Sequence, residues 1–219
     1  MDNQKNINAI IQQGMLPLYY HHDATTSLEL AQALYKAGVR VIEYTNRGDN
    51  AVDNFKLLVA ERDKNMPGLL LGIGTIKTVQ DANIFLHAGA DFIICPILIP
   101  AVAAVVHEAG KLWIPGCMTV TEIALAEEAG AKLVKLFPGN VLGSAFVAAI
   151  EDLFPDLLFM PTGGVDTTKE NIEGWFKAGV CAVGMGSKLI SKEVMENKQY
   201  DWLIEETKKV LAIINDCRK

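Results

Sequence analysis

The sequence predicts an α/β fold, a single (β/α)8 TIM barrel with an extra N-terminal helix, in which residues 1–219 form one domain. Two observations predict it. Eight short apolar runs alternate along the chain with longer segments whose apolar residues recur at helical spacing. Five of the helical segments end in the same Ala-Gly pair just before the next apolar run. Strands and helices in strict alternation form a parallel sheet covered by helices.

The eight predicted strands are short and almost continuously apolar, as expected for strands that are buried on both faces. They cover residues 16–20, 39–45, 69–74, 92–96, 112–116, 133–138, 158–163 and 181–186. Eight strands favour a closed barrel over an open doubly wound sheet, which usually carries a Gly-x-Gly-x-x-Gly turn after its first strand. The sequence has no such turn at that place.

The helices are predicted from the same periodicity. Ile7, Ile10 and Ile11 indicate a helix over residues 1–14, and the last helix is expected over residues 192–216. Glycine is typical just past a helix C-terminus because it adopts positive φ without steric cost. The repeated pairs, each expected to end a helix, are Ala37-Gly38, Ala88-Gly89, Ala109-Gly110, Ala129-Gly130 and Ala178-Gly179.

The composition limits the kinds of molecule that this protein is expected to bind. The formal net charge is −6 and no cluster of Lys or Arg is present, so nucleic acid is not an expected partner. The apolar runs are too short to cross a membrane, and the polar first residues lack the apolar core of a secretory signal. We therefore expect a cytoplasmic protein that binds a small molecule, with no membrane or nucleic acid as partner.

Neither a metal nor a cofactor is predicted. His21 and His22 follow the first strand, but no set of side chains with metal-ligand spacing accompanies them. We expect both in a loop or at the surface, with a place in the pocket as the alternative. The four cysteines form no Cys-x-x-Cys pair and are expected to be structural thiols: Cys95, Cys117, Cys181 and Cys217.

Lys135 stands in the middle of the sixth predicted strand, between Val134 and Leu136. Alternate residues of a strand share a face, so Leu133, Lys135 and Phe137 are expected to point to one side. One interpretation is an amine that extends past the strand end to water. The other is a buried amine that forms a Schiff base with a ketone, because desolvation favours the neutral form of an amine. From this segment alone, the two interpretations are equally supported.

Glu43 and Thr45 at the end of the second strand and Arg47 just after it are two residues apart, so all three are expected to face the barrel interior. In such barrels the active site lies at the C-terminal ends of the strands. A carboxylate and a guanidinium beside a lysine form a polar set suited to a keto-acid substrate. The alternative, slightly favoured for these residues alone, is a structural ion pair between Glu43 and Arg47.

Glycine-rich turns follow the last two strands, at Gly163-Gly164 and at Gly186-Ser187. In barrels these loops commonly bind phosphate through backbone N–H groups, which glycine leaves accessible. Two such turns on adjacent strands favour a phosphate site over two plain tight turns. Thr75 offers a hydroxyl at the tip of the third strand, a weak signal by itself. Thr119 and Glu122 have capping-box spacing and are expected to be structural.

These motifs together resemble the 2-keto-3-deoxy-6-phosphogluconate (KDPG) / 4-hydroxy-2-oxoglutarate (KHG) aldolases, over about residues 16–189. The resemblance is carried by Gly38-Val-Arg-Val-Ile-Glu43, Arg47, Gly72-Ile-Gly-Thr75, Cys95-Pro96, Ile114-Pro115-Gly116, Lys135-Leu-Phe-Pro138, Pro161-Thr-Gly-Gly164 and Gly186-Ser187. It implies a class I aldolase that needs no metal or cofactor and cleaves a 2-keto-4-hydroxy acid, KDPG above all, to pyruvate and an aldehyde. For Lys135 it favours catalysis.

The resemblance also implies roles for individual residues. Lys135 would form the Schiff base, and Glu43 would move protons. The substrate carboxylate would be held by Arg47, Thr75 and Thr162, and the distal phosphate by Gly163, Gly164 and Ser187. A homotrimer is implied as well.

The chain departs from the family beside the expected pocket. The family usually reads Glu-Val-Thr-Leu-Arg where this chain has Glu43-Tyr-Thr-Asn-Arg47, and often has an arginine where Tyr19-Tyr-His-His-Asp23 stands here. An acidic residue is common where Gly139-Asn140 follow the Phe-Pro pair. These departures affect the expected substrate more than the reaction type. Three alternatives stay open: the phosphogalactonate epimer as substrate, a phosphosugar isomerase or epimerase, and a non-catalytic phosphate-binding protein.

Overall fold

The computed structural model describes residues 2–218. In that range the strands are β1 Met15–Tyr19, β2 Val41–Thr45, β3 Leu70–Gly74, β4 Phe92–Ile94, β5 Leu112–Ile114, β6 Gly116–Cys117, β7 Leu133–Leu136, β8 Leu158–Pro161 and β9 Val183–Met185. The α-helices are α1 Asp2–Gln13, α2 Ala24–Lys36, α3 Ala51–Asn65, α4 Val79–His87, α5 Pro100–Glu108, α6 Val120–Glu128, α7 Gly139–Leu142, α8 Ser144–Ile150, α9 Lys169–Lys177, α10 Lys192–Glu196 and α11 Tyr200–Cys217.

The strands form a curled sheet in which the recorded strand pairs are parallel. Six strands pair in the order β5-β4-β3-β2-β1-β9, and three pair in the order β6-β7-β8. A parallel bridge between Thr162, just past β8, and Gly184 in β9 joins the two groups. The α/β class and the parallel sheet predicted from the sequence are therefore confirmed.

The fifth predicted strand, residues 112–116, is divided in the structure. Pro115 separates β5 from β6, because a proline has no backbone N–H to donate to a neighbouring strand. Its carbonyl still accepts a hydrogen bond from the N–H of Lys135 at 2.8 Å. β5 pairs with β4 and β6 pairs with β7, so the proline marks a change of pairing partner.

The predicted last helix, residues 192–216, is also divided, since α10 ends at Glu196 and α11 begins at Tyr200. Lys198 between them has a φ of 49°, a left-handed conformation that interrupts a helix. Its amine lies 3.0 Å from the carboxylate of Glu29, which also accepts a hydrogen bond from the Tyr200 hydroxyl. The predicted first helix is present as α1, and Met1 lies outside the described residues.

The five Ala-Gly junctions are confirmed. In each, the alanine is the C-cap of a helix, and the glycine that follows has a φ between 67° and 102°. The capping box predicted for Thr119 and Glu122 is also present at the start of α6. Local turn chemistry thus sets the helix ends and the direction in which each next strand begins.

The inner face of the curled sheet is filled by a small apolar cluster at the end where the strands begin. Strand residues contribute to it, among them Leu16, Val41, Leu112 and Leu133, and so do Ile7 and Ile10 of α1. α1 therefore covers this end of the sheet. Lys135 stands two residues after Leu133, so it points to the same inner side nearer the strand ends. Among the described residues, no helix has the length and apolar character to cross a membrane.

We expect Ile10→Ala to lower the free energy of unfolding by about 2–5 kcal/mol, because the side chain is 1% exposed and its loss opens a cavity under the sheet. Ile84→Ala is the matched control, since Ile84 is 38% exposed on α4 and its truncation should change the free energy by less than about 0.5 kcal/mol. Urea titration of both variants measures the difference. Equal, small losses would show that α1 does not seal the inner cluster.

Candidate active site

Lys135 is buried inside the curled sheet and forms an ion pair with Glu43. Its Nζ lies 3.5 Å from Oε1 of Glu43, and the two side chains are 5% and 1% exposed. β7 carries the lysine and β2 the glutamate, and these strands are not neighbours in the sheet. The pair therefore spans the interior. The interpretation in which Lys135 extends to water is wrong.

Glu43 pairs with this lysine and not with Arg47. The ion pairs of the described residues include none between Glu43 and Arg47, so that structural alternative is wrong. Thr45 is buried, and its hydroxyl donates to the carbonyl of Tyr19 at 3.4 Å. Arg47 lies beyond the end of β2, where it is exposed. Of the three residues spaced by two, Glu43 and Thr45 face inward, and the third reaches the end of the strand.

Glycines make room for the polar side chains of the interior. Gly72 of β3 pairs in register with Glu43, and a Cβ added at Gly74 would overlap the Glu43 carboxylate. A Cβ at Gly184 would likewise overlap the side chain of Thr162. Glycine weakens a strand, so its presence at these positions indicates close approach of another group.

Three buried oxygen atoms around the pair have no hydrogen-bond partner among the described residues. They are both carboxylate oxygens of Glu43 and the hydroxyl oxygen of Thr162. A buried polar group left unpaired typically costs about 1–3 kcal/mol, so such groups are rare in native proteins. Oε1 of Glu43 still faces the Lys135 amine at 3.5 Å, so Oε2 of Glu43 and the Thr162 hydroxyl are the atoms that indicate a site completed by a ligand.

A cavity of about 150 Å³ lies at the C-terminal ends of the strands and brings together five of the predicted site residues. They are Arg47, Thr162, Gly163, Gly164 and Ser187. Gly163 and Gly164 have φ values of 94° and 72°, a conformation that favours glycine. Phe137 also lines the cavity, and the Lys135 amine lies 5.5 Å from the centre of its ring. Lys135 and Glu43 do not line the cavity themselves, but the ring of Phe137 connects the Lys135 amine to it.

Thr75 is the one predicted carboxylate ligand that is not among the residues lining this cavity. It follows the end of β3, and the carbonyl of the preceding Gly74 accepts a hydrogen bond from the Asn46 N–H at 2.9 Å. Its φ is 63°, which is an outlier for a β-branched residue. Strain of this kind tends to cluster at functional sites, which fits the predicted role of Thr75 in a ligand site.

The histidines and cysteines lie outside the cavity. His21 and His22 occupy the loop after β1, as expected, and neither is among the residues that line the cavity. The described residues contain no group of three or more His, Cys, Asp or Glu side chains placed to hold a metal ion. Burial raises the pKa of the Cys95 thiol to about 11 and that of Cys117 to about 12, so both stay protonated at neutral pH. A buried thiol that stays protonated is a poor nucleophile, which agrees with a structural role.

Six residues that line the cavity are not among the predicted site residues: Leu18, Phe137, Val165, Gly184, Gly186 and Lys188. Phe137 shares the inward strand parity of Lys135, and that parity was the signal that could have identified it. Lys188 lies in the loop after β9, beyond the last strand residue. A loop has no regular alternation, so the sequence does not show to which side the lysine side chain points. Its proximity to Ser187 in the chain was the available signal.

Gly74→Ala should lower the free energy of unfolding by about 1–3 kcal/mol, because the new methyl group displaces the buried Glu43 carboxylate. Gly174→Ala in α9 is the matched control: nothing lies near its added Cβ, so the protein should gain about 0.5–1 kcal/mol from the higher helix propensity of alanine. Denaturant titration compares the two. A stable Gly74→Ala variant would contradict the tight packing of Glu43 against β3.

The family model described as "KDPG and KHG aldolase" matches residues 7–206. The KHG/KDPG aldolase of Escherichia coli K12 is 32% identical over 176 residues, which cover 80% of each chain. The 2-dehydro-3-deoxy-6-phosphogalactonate aldolase of the same organism is 33% identical over 121 residues, which cover 55% of this chain and 58% of the relative.

A solved structure has the same fold. It is the KDPG aldolase of Legionella pneumophila with pyruvate captured at low pH as a covalent carbinolamine intermediate. The two structures superpose with a TM-score of 0.85 at 27% identity, covering 94% of this chain and 97% of that one. Since the family model spans most of the chain, and the relatives and the fold agree with it, this protein belongs to the KDPG and KHG aldolase family.

Proposed function

We propose that this protein is a Schiff-base aldolase that cleaves a 2-keto-4-hydroxy acid to pyruvate and an aldehyde. The principal substrate is KDPG, which yields glyceraldehyde 3-phosphate, and KHG yields glyoxylate in the same reaction. The observation that carries the proposal is the buried pair of Lys135 and Glu43, whose carboxylate oxygens lack hydrogen-bond donors among the described residues. A buried amine paired with a carboxylate that can accept and return protons suits imine chemistry.

The first half of the reaction builds an electron sink on Lys135. The amine reacts in its neutral form, and the Glu43 carboxylate, 3.5 Å away, is placed to accept its proton. Lys135 Nζ then adds to the C2 ketone to form a carbinolamine. Glu43 returns the proton to the carbinolamine hydroxyl, which leaves as water, so an iminium forms and Glu43 is a carboxylate again. The covalent pyruvate adduct in the Legionella pneumophila enzyme is a precedent for the carbinolamine.

The second half breaks the C3–C4 bond. Glu43, directly or through a water molecule, takes the proton of the C4 hydroxyl, the aldehyde leaves, and the bonding electrons pass into the iminium to give an enamine. Glu43 returns a proton to C3, and hydrolysis releases pyruvate and the free amine. A positioned acid or base of this kind typically accelerates a step about 10²–10⁴-fold. These steps need no metal or cofactor.

The substrate is oriented by groups at its two ends. Arg47, Thr75 and Thr162 are proposed for the carboxylate, and the unpartnered buried hydroxyl of Thr162 supports this assignment. Gly163, Gly164 and Ser187 are proposed for the phosphate, supported by the two positive-φ glycines that line the cavity with the serine. Arg47 lines the same cavity as these glycines, so its positive charge also favours an anion there.

The domain organisation, the oligomeric state and the location in the cell are also proposed. We propose one domain in which the strands close into an eight-stranded barrel, supported by the parallel pairs and by the bridge between Thr162 and Gly184. A cytoplasmic homotrimer is proposed from the resemblance, and sedimentation should give the mass of three chains. A mass of one chain would contradict the trimer.

Cleavage of the phosphogalactonate epimer is the second candidate. The Escherichia coli relatives that act on the gluconate and galactonate acids are 32% and 33% identical to this chain, so overall identity does not separate the two substrates. Initial rates with both C4 epimers measure the preference. A phosphosugar isomerase remains the alternative for a barrel with a glutamate base, and it would form no iminium.

Lys135→Ala should abolish both aldol cleavage and the trapping of pyruvate by borohydride, because only an iminium on this lysine is reduced to a stable adduct. Mass spectrometry of the trapped protein locates the adduct. Lys77→Ala and Lys132→Ala are the matched controls, since both side chains are exposed, and both variants should trap pyruvate normally. An adduct on either of these lysines would contradict the assignment.

The effect on folding can be separated from the effect on chemistry. Removing one partner of a buried ion pair often destabilises a protein by about 3–5 kcal/mol, so the double variant Lys135→Met/Glu43→Gln is included to remove both charges. Glu43→Gln alone should still trap pyruvate but turn over at least about tenfold more slowly, because it keeps the shape and loses the base. An unchanged kcat would exclude Glu43 as the proton carrier.

A further inference from the structure

We propose that Lys188 is a specificity residue for phosphorylated substrates, whose amine leaves Asp166 to bind the distal phosphate. The inference rests on the proposed function and deepens it. Neither the sequence motifs nor the resemblance assigns a role to Lys188, since the last matching motif ends at Ser187. The structure places it in the cavity wall together with Ser187 and the Gly163-Gly164 turn.

Lys188 carries a charge that is available to a ligand. Its side chain is 58% exposed, and its Nζ lies 3.3 Å from Oδ2 of Asp166. An exposed pair of this kind is weak, because water screens the attraction and two flexible side chains must be held in place. A phosphate dianion offers the amine more negative charge and three acceptor oxygens, so it competes well with one carboxylate.

Asp166 is a positioning residue that holds the amine over the cavity. Its Oδ1 accepts a hydrogen bond from the N–H of Thr168 at 3.2 Å, and its own N–H donates to Oδ1 of Asn171 at 2.9 Å. The carboxylate is therefore fixed by its own loop. Because Asp166 follows β8 and Lys188 follows β9, the ion pair joins the two loops that carry the proposed phosphate-binding glycines and serine.

The charge around the cavity favours a dianion over a neutral group. Arg47 lines it from the loop after β2, and Lys188 lines it from the loop after β9. The chain as a whole has a net charge of −6, so the positive potential at this cavity is a local feature. With Arg47 assigned to the carboxylate, the Lys188 amine is the cation that lies beside Ser187 and the Gly163-Gly164 turn, where it matches a phosphate. KHG ends at C5 in a carboxylate, which carries one negative charge and lies nearer the ketone than the phosphate on C6 of KDPG, so Lys188 stays on Asp166 with that substrate.

The test compares steady-state kinetics of Lys188→Met with KDPG and KHG as substrates. We expect KM for KDPG to rise about tenfold or more with little change in kcat, since a hydrogen bond between charged groups is lost, while KM for KHG stays within about twofold. Lys188→Arg should bring the KM for KDPG back close to the value of the unmodified protein. Lys192→Met is the matched control, because Lys192 is exposed and pairs only with Glu196 in the recorded ion pairs of the described residues.

A second readout is independent of catalysis. Calorimetric titration with inorganic phosphate should show weaker binding to Lys188→Met than to the unmodified protein or to Lys192→Met. An unchanged KM for KDPG, equal losses with both substrates, or equal phosphate binding in all variants would overturn the proposal. Pyruvate trapping is run on the same samples: its absence from the unmodified protein would overturn the aldolase assignment, and phosphate binding would still decide the role of Lys188.

Discussion

The buried ion pair between Lys135 and Glu43 is the interaction on which the rest of the site depends. Taking two charges out of water is costly, and their attraction across 3.5 Å offsets that cost only while both are present. Replacement of a buried pair by well-packed apolar side chains often leaves a protein as stable or more stable. Stability alone therefore gives no reason to keep these charges. We infer that the pair is retained for its chemistry.

The surrounding strands carry other features that cost stability and that converge on the same place. Thr75 holds a φ of 63° at the end of β3, and the buried hydroxyl of Thr162 lacks a partner among the described residues. Gly74 and Gly184 give up side-chain packing so that Glu43 and Thr162 fit. The opposite end of the sheet is filled by apolar side chains, including those of α1. The strained residue Thr75 and the unpaired oxygens of Glu43 and Thr162 thus lie toward the end where the strands finish, while the apolar end holds the fold together.

Much of this arrangement could be predicted from the sequence, because alternation along a strand decides which side chains face inward. That rule placed Lys135 and Glu43 on the inner face correctly, and the Ala-Gly pairs located the helix ends. The sequence-based prediction failed where a single residue interrupts a predicted strand or helix. Pro115 divides a strand because it lacks an N–H, and Lys198 ends a helix by adopting a left-handed conformation that lysine rarely takes. Lys188 was missed for a related reason, since a loop side chain has no periodicity and only the fold brings it to the cavity.

Two of the three departures from the family pattern beside the pocket are in direct contact with each other. Tyr44, which replaces the usual valine after Glu43, donates its hydroxyl to the carbonyl of His21 at 2.9 Å, in the segment that replaces the usual arginine. Its ring packs against those of Tyr19 and Tyr20, with centroids 5.4 and 5.8 Å away.

Burial raises the pKa of Tyr44, so its hydroxyl stays protonated and keeps donating at neutral pH. Tyr20 in turn occupies the space where Gly48, next to Arg47, would carry a side chain. The loops after β1 and β2 therefore hold each other, and with them the position of Arg47. Because Tyr44 contacts both segments, we expect a substitution of Tyr44 to alter the loops after β1 and β2 together.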